Sequence, residues 1–175
     1  AILQAGDRLG EEPLAALFAQ IADYWVDRSA DQHRWRGLRV YGVDGSTLRI
    51  PDTQENDATF GRPKGGRGRS GYPQVRLVAL MVVRSHELAS LAFGRYADSE
   101  VALAEPLWSK IPDRSLTLVD RGFISYLVFQ SIRSAGSERH WLTRAKKNLK
   151  WTKVKRLGPN DYLVEIPINK NLRRK

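Results

Sequence analysis

The first periodicity along the chain is helical. Leu14, Leu17, Phe18, Ile21, Tyr24 and Trp25 recur at three- and four-residue intervals, with Asp23 and Asp27 turned away from them. Residues 13–28 therefore predict an amphipathic helix whose aromatic stripe is core, and Pro13 suits its first turn. The period then drops to two. Residues 38–44 predict a strand and residues 46–50 a second one, with Asp44-Gly45 between them and Pro51-Asp52 closing the second. Residues 52–73 carry almost no apolar side chains, and from Gly61 to Gly71 they are mainly Gly, Arg and Lys. That stretch predicts a long mobile basic loop with no packed element. Residues 75–83 predict a long apolar strand, and residues 88–95 its hairpin partner across Ser85-His86-Glu87.

The second half alternates. A helix is expected from Ser99, with Glu100 in its first turn and a break at Pro106 into two short pieces. Residues 115–120 form an apolar strand ending in an acid, residues 125–134 a helix, and residues 139–143 a further strand with Trp141 as core. Residues 151–157 and 162–166 flank Gly158-Pro159-Asn160-Asp161 as a basic β hairpin. Three antiparallel strands followed by strand–helix alternation is the ribonuclease-H-like order. The expected class is α/β, a mixed sheet with flanking helices.

Composition narrows the chemistry. A chain of 175 residues supports one domain with a real core. It has no cysteine, which excludes disulfides, zinc ribbons and thiol nucleophiles. His33, His86 and His140 lie too far apart for metal-ligand spacing. The longest apolar run, residues 77–83, is too short to span a bilayer, and no signal-peptide pattern opens the chain. A cytoplasmic, DNA-accessible location without membrane partners is the resulting expectation. The net charge of +10 points to a polyanionic partner, nucleic acid first, against the plainer alternative of a basic soluble surface. The charge is local. From Arg139 onward there are twelve basic residues and two acids, whereas residues 1–35 hold six acids and three arginines. The segment ending at Lys175 has no closing element, so the chain reads as part of something longer.

Phosphodiester chemistry without a covalent intermediate uses two divalent cations about 4 Å apart. Magnesium takes a few carboxylate oxygens, with water and phosphate completing its shell. Acids from separate strands must therefore meet at one sheet end. Asp44 and Asp120 fit, since each ends an apolar run and is followed within two residues by glycine. Plainer readings stand beside this: Asp44-Gly45 as a hairpin turn, and Asp120 as a loop acid capping the following helix. For nucleic acid, Arg62, Lys64, Arg67 and Arg69 in the glycine-rich loop could lie along phosphates, or belong to a solvated linker. Arg144, Lys146, Lys147, Lys150, Lys153, Lys155 and Arg156 form a second basic cluster, with Trp151 placed to stack on an unpaired base.

The phrases Val43-Asp44-Gly45-Ser46-Thr47, Leu118-Val119-Asp120-Arg121-Gly122-Phe123 and Thr143-Arg144-Ala145-Lys146-Lys147-Asn148 occur in this order. Over residues 36–168 they resemble the DDE transposases of bacterial insertion sequences, of the group conventionally numbered family four. That resemblance implies Asp44 and Asp120 as the first two catalytic, metal-binding acids, with Mg2+ (or Mn2+) as cofactor. It also implies strand cleavage and strand transfer on double-stranded DNA, both transposon ends and target, at the bacterial nucleoid, and leaves room for a homodimer on DNA. It divides the chain into an N-terminal helical segment (1–35), a partial ribonuclease-H-like core (36–150) and the start of a β-rich insertion (151–175). The family's third acid is a glutamate in a helix reading Tyr, two residues, Arg, three residues, Glu, six residues, Lys. No tyrosine here has arginine three positions later. The chain is therefore expected to stop inside the insertion and to be inactive alone. Two alternatives remain at this point: a non-catalytic basic nucleic-acid-binding module, and a ribonuclease-H-like nuclease drawing its third acid from Asp52, Asp98 or Glu100.

Overall fold

A computed structural model describes residues 8–65, 68–69 and 71–167. Helix α1 (Glu12–Gln32) leads into β1 (Arg39–Arg49), followed by α2 (Gln54–Phe60), a two-residue ribbon of β2 (Lys64–Gly65) and β3 (Gly68–Arg69), β4 (Gln74–Val82) and β5 (Leu88–Arg95). Two short helices, α3 (Glu100–Leu103) and α4 (Glu105–Trp108), precede β6 (Ser115–Val119), α5 (Tyr126–Ser134), β7 (Arg139–Thr143), β8 (Thr152–Gly158) and β9 (Asp161–Glu165). One five-stranded sheet has the order β5-β4-β1-β6-β7, and β8-β9 forms a separate hairpin. β1, β4 and β5 pair antiparallel, whereas β6 and β7 run parallel to β1. This is the mixed sheet with flanking helices that the order of elements predicts. The two short helices expected here do form, but they divide at Ala104, with Pro106 in the first turn of the second.

The β1 segment differs from the two-strand reading. It is one strand, in continuous register with β4 from Tyr41 opposite Val82 to Arg49 opposite Gln74. A tight hairpin turn at Asp44-Gly45 needs positive φ, and neither residue has it. Gly45 instead lies extended opposite Val78. The long partner strand overrides the local turn signal.

The basic loop is also more ordered than its composition suggests. Thr53 caps α2 by accepting the Asn56 N–H at 3.1 Å, and Gly61, with φ of 76°, closes it by donating to the Asp57 carbonyl. The cap residue and the first-turn acids Glu55 and Asp57 are the sequence signal for this helix. It lacks an apolar face, so periodicity does not reveal it.

Helix α1 docks on the sheet through small residues. Ala22, Val26 and Ala30 are buried, whereas Leu14, Leu17, Ile21, Tyr24 and Trp25 are all at least half exposed. The aromatic stripe expected in the core faces outward instead. Spacing defines a stripe but cannot say which side of the helix meets the sheet. The end of α1 is tied to the start of β1 by Arg39, whose guanidinium binds Asp31 at 2.7 Å and Asp27 at 2.9 Å. The Arg39 hydrogen bond holds the Asp31 carboxyl below its ordinary range. The core itself joins Tyr41 and Val43 with Val78, Leu80 and Val82, and with Leu107, Trp108, Ile111, Phe123 and Ile132. Trp141 packs against it, stacked on Phe129 at 3.7 Å between ring centroids.

Candidate active site

β1 and β6 run parallel with Arg39 opposite Ser115 and Val43 opposite Val119. One residue past this last pair come Asp44 and Asp120. Parallel neighbours lie about 4.8 Å apart, and residues at matching register share a face. The two aspartates therefore stand side by side at the end of β6, on the face opposite Val43 and Val119. Both are exposed. Asp44 Oδ1 accepts the N–H of Gly45 at 2.9 Å, and Asp120 Oδ1 accepts that of Gly122. Neither second oxygen has a hydrogen-bond partner or a cation among the described residues.

Asp120 is held from both sides. It caps the single 3-10 turn Arg121–Phe123 rather than α5, whose N-cap is Ser125. The capping alternative is thus true of one carboxylate oxygen. Phe123 ends the turn, is 1 % exposed, and meets Trp108 edge-on at 5.9 Å. The Thr143 hydroxyl, at the end of β7, donates to the Asp120 carbonyl at 3.3 Å. A buried aromatic plug and a hydroxyl on the next strand thus fix the backbone that presents the acid.

Across the sheet from the pair, Glu100 lies against Gly45. A side chain on Gly45 would collide with the Glu100 carboxyl carbon. Glu100 is bound to Arg76 at 2.8 Å, and Arg76 also donates to the Tyr96 carbonyl. A cleft of about 370 Å3 opens beside them, lined by Arg76, Asp98, Glu100, Gly122 and Phe123. The sequence gives no warning of this Arg76–Glu100 pair, because its members are 24 residues apart.

The acids considered as a third ligand are engaged elsewhere. Asp98 accepts the Arg95 N–H at 2.7 Å, Asp52 binds Arg62 at 2.8 Å, and Glu100 binds Arg76. No group of three His, Cys, Asp or Glu side chains suited to a metal exists among the described residues. The nuclease alternative loses its support. The donors that remain, two hard carboxylates with free oxygens and an open side for water and phosphate, fit a magnesium-type ion.

Basic residues leave the sheet at the same end. Val119 pairs with Thr143, so Arg144, Lys146, Lys147 and Lys150 follow directly from the strand end beside Asp120. All four are exposed and unpaired with acids among the described residues, and Trp151 is exposed beside them. On the hairpin, Lys153 and Lys155 are exposed, Lys153 lies 4.0 Å over the Tyr162 ring, and Arg156 donates to the Gly158 carbonyl. Arg62 behaves differently from the expected phosphate contact. It binds Asp57 and Asp52, each at 2.8 Å, and the Gly71 carbonyl at 3.0 Å, clamping the end of α2. Arg67 and the side chains of Lys64 and Arg69 lie outside the described residues.

The model of the transposase DDE domain matches residues 35–174, and the chain belongs to that family. Among curated relatives, the transposase InsG for insertion sequence element IS4, from Escherichia coli strain K12, is 37 % identical over 175 residues. That match takes in 100 % of this chain and 39 % of InsG. InsZ of the same strain is 37 % identical over 153 residues, which is 85 % of this chain and 50 % of InsZ. The chain thus spans half or less of the length of these relatives. No solved structure gives a significant match. Among the described residues, no helix is long and apolar enough to cross a membrane.

Proposed function

We propose that this chain carries the two-aspartate part of a DNA transposase centre for metal-dependent strand cleavage and strand transfer. The observation that supports it most is the register of β1 and β6, whose parallel pairing ends at Val43 and Val119, one residue before Asp44 and Asp120. Asp44 and Asp120 would hold Mg2+ (or Mn2+), which when bound would supply neutralisation of phosphate charge and activation of the attacking oxygen. The chain's own residues do the positioning. Backbone N–H groups orient one oxygen of each carboxylate, and Phe123 and Thr143 hold the Asp120 backbone in place. Arg144, Lys146, Lys147 and Lys150 hold the DNA backbone beside the acids. Trp151 is free to stack on an unpaired base, and Lys64, Arg67 and Arg69 are further candidates for phosphate contact.

The substrate is double-stranded DNA, element ends and target, worked on by a homodimer at the nucleoid in the bacterial cytoplasm. Residues 1–35 serve as a helical lead, 36–150 as the core, and 151–175 as the start of a β-rich insertion. The non-catalytic alternative treated Asp44 as turn chemistry, and its continuous pairing within β1 removes that support.

Two carboxylates alone hold a divalent ion weakly, so the 175-residue chain is expected to bind metal and DNA without nicking. Electron paramagnetic resonance titration with Mn2+ in the presence of duplex DNA tests the site. Asp44→Asn and Asp120→Asn should each weaken Mn2+ binding at least about tenfold, a loss of roughly 1.4 kcal/mol. Unchanged Mn2+ affinity in both variants would sink the assignment. Magnesium-dependent nicking by the unaltered chain would show that the pair suffices without a further acid.

A further inference from the structure

Helix α1 has two apolar sides, and the sheet uses only the one with small residues. Leu14, Leu17, Phe18, Ile21, Tyr24 and Trp25 form a continuous outward stripe, between 38 % and 56 % exposed. A fully exposed large side chain presents roughly 200 Å2. The stripe thus offers about 600 Å2, and two such stripes face to face would bury about 1,200 Å2, the lower bound for specific stable interfaces. A single exposed stripe of this size is already at the upper end for a monomer surface.

The charges around the stripe favour one arrangement. In an antiparallel pair centred between residues 19 and 20, positions whose numbers add to 39 face each other. Phe18 then meets Ile21, Leu14 meets Trp25, and Glu11 meets Arg28 at both ends. Arg28 is on the stripe side, its guanidinium 4.1 Å over the Tyr24 ring and donating to the Tyr24 hydroxyl at 2.7 Å. A parallel pair would bring Glu11 and Glu12 against their own copies and Arg28 against Arg28. Asp27, the neighbouring acid that could disturb the seam, is turned away and committed to Arg39.

We infer that α1 is a self-association surface: two copies of the chain pair antiparallel through this stripe, with Glu11–Arg28 ion pairs at its ends. This gives the homodimer of the proposed function its contact, and it needs neither DNA nor metal. Its failure would therefore leave the cleavage reading untouched, and the Mn2+ titration has no bearing on it.

Sedimentation equilibrium of the 175-residue chain, without DNA and at high salt, should return twice the chain mass. Phe18→Asp with Ile21→Asp should weaken association by about a hundredfold while leaving circular dichroism unchanged, since both side chains are outward. Because the chain has no cysteine, disulfide trapping reports the orientation cleanly. The Leu14→Cys/Trp25→Cys variant should form covalent dimers on oxidation, and Leu14→Cys alone should not. A monomer at high micromolar concentration would overturn the proposal, as would a dimer indifferent to the two aspartates. Efficient trapping by Leu14→Cys alone would overturn the antiparallel arrangement.

Discussion

Tyr41 sits near the start of β1, 1 % exposed, and its hydroxyl has no hydrogen-bond partner among the described residues. The ring contributes apolar area to the core, but the hydroxyl loses its water and gains nothing. Leaving such a group unpaired costs about 1–3 kcal/mol. Tyr41→Phe keeps the ring and removes the stranded oxygen, so it should leave stability unchanged or raise it by about 1 kcal/mol in denaturant unfolding at neutral pH. Burial also pushes the Tyr41 phenol up to about 12. The unfolded chain ionises this group near 10, so between roughly pH 10 and 12 the folded state keeps a proton that the unfolded state has released. Stability present below pH 10 is therefore lost as pH rises through that window, by roughly 2–3 kcal/mol in all. The Phe variant should be spared that part of the alkaline loss, and equal slopes for the two proteins would contradict the buried phenol. Asp113 shows the opposite sign. The Ser137 N–H and then Arg139 hold its carboxyl below the ordinary range, so its contribution is present above that range and fades as pH falls.

At the scale of elements, the site depends on how closely α3 approaches β1. Gly45 leaves room for the Glu100 side chain, and Glu100 in turn reaches Arg76 on β4. Gly45→Ala should therefore push Glu100 off Arg76 and destabilise by about 1–3 kcal/mol, as overpacking does. Combining it with Glu100→Ala should return part of the loss. A double-mutant cycle by chemical denaturation would measure this coupling, and strict additivity would show that the two groups do not meet. The same strand shows how far the sequence could be read. The strands, Ser99 as a cap and the splitting into two short helices near Pro106 were legible because period, caps and proline act locally. That Asp44 and Asp120 follow neighbouring strand positions in register was legible as two apolar runs each ending in an acid. The local code misled at Asp44-Gly45, where β4 supplies an unbroken partner, and at α2, which is held by Thr53, Gly61 and the Arg62 clamp rather than by an apolar face. It was silent on Arg76–Glu100, because a side-chain pair between a strand and a distant helix leaves no periodic trace. It also could not orient α1, since a helix with large and small apolar sides can dock through either.

At the scale of the whole molecule, charge is divided much as the fold is. Two acids of α1, Asp27 and Asp31, face the beginning of β1, where Arg39 binds both. Arg144, Lys146, Lys147 and Lys150, exposed and without acid partners among the described residues, follow β7 at the opposite end of the parallel strands, beside Asp44 and Asp120. On the proposed reading, a polyanion attracted to the +10 chain would meet these cations next to the acid pair, although the two carboxylates repel phosphate locally. If about six phosphates are engaged, the logarithm of DNA affinity should fall against the logarithm of salt with a slope near −5. Lys146→Ala with Lys147→Ala removes two exposed, unpaired cations next to β7 and should make that slope shallower by about 2, equally for every duplex sequence. Arg62→Ala removes one formal charge as well, yet its guanidinium already answers Asp57 and Asp52, so the slope should stay nearly unchanged while the α2 region becomes easier to cleave in limited proteolysis. Fluorescence anisotropy across a salt series separates these cases. A slope indifferent to Lys146 and Lys147 but sensitive to Arg62 would move the DNA track from the strand ends to the glycine-rich loop, and with it away from the two aspartates.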